Sequence, residues 1–340
     1  MPLKSYRHVW VITGLALLLF VSVLVSLNLG RYPISPQEVL KLVASRIMAG
    51  QAAAAAHIDP QMEAIFFNVR LPRIFLACLV GCCLSAAGAS YQGIFQNPMA
   101  APDVLGASAG ASFGAALAIL LEGTKEQITF SAFVFSILSV GIVFIISNRT
   151  RGSRILPLVL SGIMVGSLFS ACTSYIKLVA DPNDELPAIT YWLMGSLAGT
   201  GQSDVWFSMI PMGIGLIPLL LLRWRINILT LGDDEARTMG VNTGAVRLTV
   251  ILCATLITAS SVAVSGMIGW VGLVIPHISR WLAGNNYQRL LPVSMLAGSI
   301  FLLGVDNVSR NLWTSEIPIG ILTAFIGAPF FLGLIIRAGD

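Results

Sequence analysis

The residues best equipped for chemistry crowd into RWRINILTLGDDEARTMGVNTGAVR, positions 223–247, where Asp233, Asp234, Glu235 and Arg237 lie together between long apolar runs. In a sequence with 11% charged residues, such a polar island reads as a handle for a partner to grip. Asp233 can cap a short helix whose first turn carries Asp234 and Glu235 at the positive end of its dipole. Gly240 suits the far cap, and Asn242 or Thr243 can start the next helix. Other reactive residue types are dispersed. Cys78, Cys82, Cys83, Cys172 and Cys253 fall inside apolar runs without zinc-ligand or disulfide spacing and read as packing residues. His8, His57 and His277 are too scattered to build a metal site, so any metal that is moved travels inside a chelate. No catalytic set is expected. The phosphate-loop pattern GxxxxGK[ST] does not occur in the sequence, so ATP energy must come from another subunit.

The elements that position the island follow from composition. Hydrophobic residues make up 56% of the 340, and the charged share lies far below the roughly 25% of a soluble domain. A bilayer core takes about 20 apolar residues per helix. The chain therefore reads as an all-α integral membrane protein, one domain over residues 1–340. About ten transmembrane helices are expected, near 9–27, 74–91, 104–121, 128–147, 155–178, 205–222, 248–264, 267–282, 290–305 and 317–336. Pro276 and His277 interrupt the eighth, as a kink. With an even number of spans both termini share a side, and the loops on that side hold twelve of the 20 Lys and Arg residues, which makes it cytoplasmic. An extracytoplasmic amphipathic segment, 35–66, starts at a capping box of Ser35, Pro36 and Glu38, places Val39, Leu42, Val43 and Ile47 on one face, and continues into the alanines 52–56.

Small residues recur at four-residue intervals as Ala77, Gly81, Ser85, Ala89 and Gly93, and again as Gly106, Gly110, Gly114 and Ala118. Such stripes permit close helix approach in lipid, within one chain or between two. The spans themselves hold few ionisable groups, with Asp103, Lys177 and Asp306 at expected ends. An ion-gradient-driven secondary transporter, the rival reading, has little to work with.

Five motifs stand in order: NVRLPR at 68–73, QNPMAAPDVLGASAGA at 96–111, GDDEARTMGV in the island, SGMIGWVGLVIPHISR at 265–280, and EIPIGILTAFIGAPFFLGLI at 316–335. Together they resemble the permease subunits of type II ABC importers, the family for iron-siderophores, haem and vitamin B12. The resemblance covers essentially the whole chain. It implies a homodimer in a bacterial or archaeal cell membrane (the inner one in a Gram-negative cell), with a translocation path at the dimer interface. Two ABC ATPase subunits would bind ATP and Mg, an extracytoplasmic solute-binding protein would deliver a metal chelate, and no nucleic acid is involved.

The resemblance also assigns residues. Asp233, Asp234, Glu235, Arg237 and Gly240, in the cytoplasmic coupling segment 223–247, become ATPase contacts. Arg70, Arg73 and Arg310 become docking points for the binding protein. Asn97 and Met99, with Ile155 and Leu156, form the cytoplasmic gate, Met99 replacing the commoner leucine. Tyr191, Trp192 and Met194 resemble a short helix near the outer mouth.

Overall fold

The computed structural model describes residues 3–47, 59–149 and 155–339, all helices and turns with no strand among the described residues. In order these are α1 (Leu3–Asn28), α2 (Pro36–Ile47), α3 (Pro60–Ile65), α4 (Leu71–Ile94), α5 (Ala107–Leu120), α6 (Lys125–Asn148), α7 (Ile155–Val179), α8 (Glu185–Leu193), α9 (Gln202–Leu229), α10 (Asp233–Thr238), α11 (Thr243–Ser265), α12 (Val271–Ala283), α13 (Tyr287–Asn311) and α14 (Ile319–Gly339). The alanines 52–56, His57 and loop positions 150–154 lie outside the described residues.

Among the described residues, seven helical stretches are long and apolar enough to cross a membrane, and Ala107–Leu120 and Ile319–Leu334 are shorter apolar helices. The expected span at 267–282 is cut down to α12. Its 13 residues reach about 20 Å. The chain enters it through Gly266 (φ 65°) and Trp270 (φ 70°), which no helix accommodates.

Three other boundaries differ from the sequence reading for local reasons. NVRLPR does not precede a span. It lies inside a helical run from Pro60 to Ile94, where a π-helical turn over Phe66–Arg70 spaces the backbone ahead of Pro72. Asp59 caps the start, its carboxylate accepting from the Gln61 amide at 3.0 Å. The span expected from 104 starts at Ala107, because Pro102–Leu105 form a 3-10 turn closed by Gly106 at φ 75°. The capping box at Ser35 forms, with the Ser35 amide donating to Glu38 at 2.7 Å and the Glu38 amide to Ser35 Oγ at 3.3 Å. That backbone bond holds the Glu38 carboxyl below its ordinary range. Finally, the first part of the polar island is the continuation of α9, which runs through Pro211 and Pro218 to Leu229.

Both small-residue stripes pack within this one chain. A Cβ added at Gly81 would strike the Gly298 carbonyl of α13, and one at Gly88 the Gly272 carbonyl of α12. On α5, Gly110 and Gly114 sit against the Phe135 and Ser131 carbonyls of α6, and Ser131 Oγ and Ser139 Oγ donate back to the Gly114 and Gly106 carbonyls at 2.7 and 2.9 Å. Lipid supplies no hydrophobic drive for helix association, so this backbone-to-backbone approach is what holds α4 and α5 in the bundle. The five cysteines are free thiols within helices. His277 packs edge-on to Trp281, Phe330 and Phe331, joining α12 to α14.

Candidate functional site

Charge collects at the two ends of the bundle. The ends are identified by contacts. α1 runs beside α13 from an Arg289–His8 contact at one end to a Ser26–Asn307 hydrogen bond at the other. α11 leads from α10 at the first end to Ser265 at the second, where the Ser196 amide donates to the Ser265 carbonyl at 2.7 Å.

At the second end, Arg70, Arg73 and Arg310 come together, but not as the outward side chains that docking requires. All three are buried in the chain. Arg70 donates to the Leu27 and Tyr32 carbonyls at 2.8 and 2.7 Å, closing the end of α1. Arg73 places Nε on Asp306 Oδ1 at 2.9 Å and spreads its fork over both oxygens of Glu316 at 3.0 and 2.9 Å. Arg310 faces the other Asp306 oxygen at 3.0 Å and donates to Ser26 and Asn307 at 3.0 and 2.5 Å. Asp306 is 0% exposed. A carboxylate in that position is tolerable because two guanidinium groups flank it. The sequence reading placed Arg310 before the last span and Asp306 at a span end. Both belong to α13, one turn apart, and the i, i+4 spacing was the signal for their pairing.

At the first end lies α10. Gly232, not Asp233, is its N-cap residue, and Asp233 is its first helical position. The Asp233 carboxylate turns away from the helix to accept from both terminal nitrogens of Arg247, at 2.8 and 3.3 Å. That hydrogen bond, together with the Arg247 charge, holds the Asp233 carboxyl below the usual carboxylate range against the opposing effect of partial burial. Arg247, the last residue of the island, was missed as a candidate. It is the only cation there that burial makes costly to leave alone. Asp234, by contrast, is 94% exposed on its side chain, and its 3.9 Å contact with the exposed Arg237 contributes little. Glu235 folds back over Gly232. Gly240, at φ 77°, follows the helix, and Asn242 caps α11 by accepting from the Ala245 amide at 3.0 Å. Leu231, Trp224 and Met239 add exposed apolar surface around α10, beside a cavity of about 690 Å³ lined by α9 and α11.

Asn97 and Met99 lie in the turn after α4, where the Asn97 side chain accepts from the Met99 amide at 2.9 Å. Both are exposed, and so is Leu156, in the first turn of α7, whose first residue is Ile155. The segment that carries Asn97 and Met99 continues into the 3-10 turn, which rests on α7 at Gly162. Tyr191 and Trp192 are in α8 with Met194 just beyond, and this turn meets the ends of α11 and α14. Among the described residues, no group of three or more His, Cys, Asp or Glu side chains is placed to hold a metal.

A family model for the FecCD transport family matches residues 18–337. The molybdate import system permease protein MolB of Haemophilus influenzae is 40% identical over 321 residues, 94% of each chain. The Fe(3+)-citrate import system permease protein YfmE of Bacillus subtilis is 37% identical over 336 residues, 98% of this chain and 96% of that one. A solved structure described as an inward-facing conformation of a metal-chelate type ABC transporter superposes with a TM-score of 0.84 at 40% identity, covering 96% of this chain and 98% of the other.

Proposed function

The chain belongs to the FecCD transport family of ABC transporter permeases, and on that premise we propose that it is the membrane subunit of an ATP-driven importer of a metal-bearing solute. Two copies, each crossing the membrane ten times with both termini in the cytoplasm, enclose the translocation path between them. The end that carries α10 faces two ATPase subunits in the cytoplasm. The arginine end faces outward and receives the solute-binding protein. ATP and Mg are bound by the partners, and this chain supplies the path and the coupling surface.

The observation that carries this reading is α10 itself. A six-residue helix, anchored by a buried guanidinium, presents Asp234 and Arg237 to solvent with the apolar side chains of Leu231 and Met239 beside them. Charges at the rim with apolar anchors between them suit a protein partner. The arginines of the outer end contribute differently from the first expectation. Buried in a network, they give this end a positive interior, and an acidic partner docks in the cleft of about 710 Å³ lined by Arg31 and residues 310–314. Asn97, Met99, Ile155 and Leu156 make the cytoplasmic gate of the path.

The cargo is a metal chelate such as an iron-siderophore, haem or a cobalamin. Molybdate is the second reading, favoured by the 40% identity to the Haemophilus permease. The deciding experiment reconstitutes the chain with its ATPase and binding protein in liposomes and measures ATP-dependent uptake of ferric siderophores, haem, cobalamin and molybdate. ATP-dependent uptake of one cargo confirms the importer. Uptake that continues without ATP and collapses with an ionophore overturns it in favour of a gradient-driven transporter.

A further inference from the structure

The two flanks of α10 are built differently. On the α9 side, the end of α9 is fastened to other helices. Gln96 donates to the Leu229 carbonyl at 2.8 Å, and Asn227 accepts from the Tyr287 amide at 2.9 Å. Between α9 and α10 the chain passes through a turn that ends at Gly232 with φ 127°, a backbone region that side-chain-bearing residues rarely adopt. The turn's amide bonds, 3.0 Å at Leu231 and 3.4 Å at Gly232, reach back to α9 and none of them crosses the hinge.

On the α11 side, the turn's amides likewise reach back, here to α10, and it is a side-chain pair that closes the joint. The Val241 amide donates to the Ala236 carbonyl at 3.0 Å and the Gly240 amide to the Arg237 carbonyl at 2.9 Å. Ala236 and Val241 are buried beneath the turn. The Asp233–Arg247 fork then spans the joint from the first turn of one helix to the first turns of the other. The Nε of Arg247 finds no partner among the described residues, so the guanidinium is committed to Asp233 alone.

The far end of α11 is locked as well. The Ser196 amide binds the Ser265 carbonyl, and a Cβ at Gly266 would strike the Trp192 carbonyl. The same turn holds α14, whose first amides, Ile319 and Gly320, donate to the Gly195 and Met194 carbonyls at 2.8 and 3.1 Å. Three residues before Ile319 stands Glu316, the partly exposed carboxylate on Arg73. With 23 residues α11 is about 34 Å long, enough to cross a core of about 30 Å.

We infer that α10 and α11 move as one strut, hinged at Gly232 and locked by Asp233 and Arg247, which carries displacement at the ATPase face to the turn at 194–196 and so to the arginine end. Arg247 is a positioning residue in this scheme, acting through Asp233. The inference rests on the reading of α10 as the ATPase contact. It departs from the sequence expectation for Asp233, which becomes part of the lock and not part of the contact.

The test uses the reconstituted full complex and measures how far the binding protein stimulates ATP hydrolysis. Asp233→Asn and Arg247→Gln are expected to cut that stimulation about tenfold, the scale of coupling within a contacting pair. The exchange Asp233→Arg with Arg247→Asp is expected to restore it, which a loss through misfolding would not permit. A second pair of variants leaves the charges alone. One glycine inserted between Leu231 and Gly232 should preserve stimulation, and one inserted between Val241 and Asn242 should abolish it. Full stimulation in both neutral variants of an intact complex, or equal effects of the two insertions, overturns the strut. A wild-type chain that captures no ATPase overturns the reading of α10 itself, a failure seen before any variant is made.

Discussion

The two charged ends of this membrane protein are made of the same residue types and use them in opposite ways. At the arginine end, Arg73, Asp306, Arg310 and Glu316 turn inward and pair with one another across α4, α13 and the segment before α14. At α10, one pair is turned inward while Asp234 and Arg237 are left in solvent. Burial converts a charge into a structural commitment, because the cost of leaving it unpaired is large. Exposure leaves it available to a partner at little cost to the fold. Charge in such a sequence therefore marks two different things, and only the packing tells them apart.

Substitutions ranked by their effect on stability put the contrast to the test. Asp306→Ala leaves two buried guanidinium groups without their shared carboxylate and is expected to destabilise by about 3–5 kcal/mol, read as lost folded protein or a lowered Tm in detergent. A loss of under about 1 kcal/mol would remove the basis of the comparison. Glu316→Gln removes a carboxylate that is partly in solvent, and the expected cost is nearer 1 kcal/mol in the same assay. Acid should separate the ends further. The Asp233 carboxyl is depressed in the folded chain, so its pairing with Arg247 is intact above the ordinary carboxylate range and is lost only as pH falls through the lowered value. Stability should thus owe nothing to this pair's titration between pH 5 and 8. The difference between wild type and Asp233→Asn should shrink only in stronger acid. Smallest of all, Asp234→Ala should leave Tm within the scatter of surface changes, about 0.5 kcal/mol, while ATP hydrolysis continues with little uptake. Unchanged uptake in that variant and in Glu235→Ala would assign the contact elsewhere.

Much of the architecture was legible because hydropathy reports helices that sit in lipid. The capping box at Ser35, the short helix at α10, the cap at Asn242 and the turn around Gly240 follow from local backbone chemistry, and they stand where that chemistry puts them. What the sequence concealed was direction. NVRLPR looks like a polar boundary, yet it sits inside a helix because Arg70 and Arg73 find acceptors on segments remote in the chain, from Leu27 to Glu316. The island reads as lying wholly outside the spans, yet α9 takes its first seven residues. Asp233 reads as a helix cap by position alone. It becomes a lock because Arg247 lies within reach once α11 folds back, which no spacing rule announces. The reading of Gly81 and Gly110 as close-packing residues was sound, but the partners, Gly298 and the Phe135 carbonyl, are a matter of topology.

One consequence concerns how the protein is made. α1 is the least enclosed of the seven long apolar stretches, with 6% of its span buried, and it is also the most apolar of them. Arg70 closes its end from 43 residues downstream, but its other anchoring partners, Asn307, Arg310 and Arg289, lie about 280 residues on. At roughly 5–20 residues per second of synthesis, α1 waits on the order of 15–60 s before they exist. It has to be inserted and oriented ahead of most of its partners, and the bundle closes around it last. Polar substitutions on its exposed face would then show their cost during biogenesis, as degraded chains, and little of it in the finished transporter.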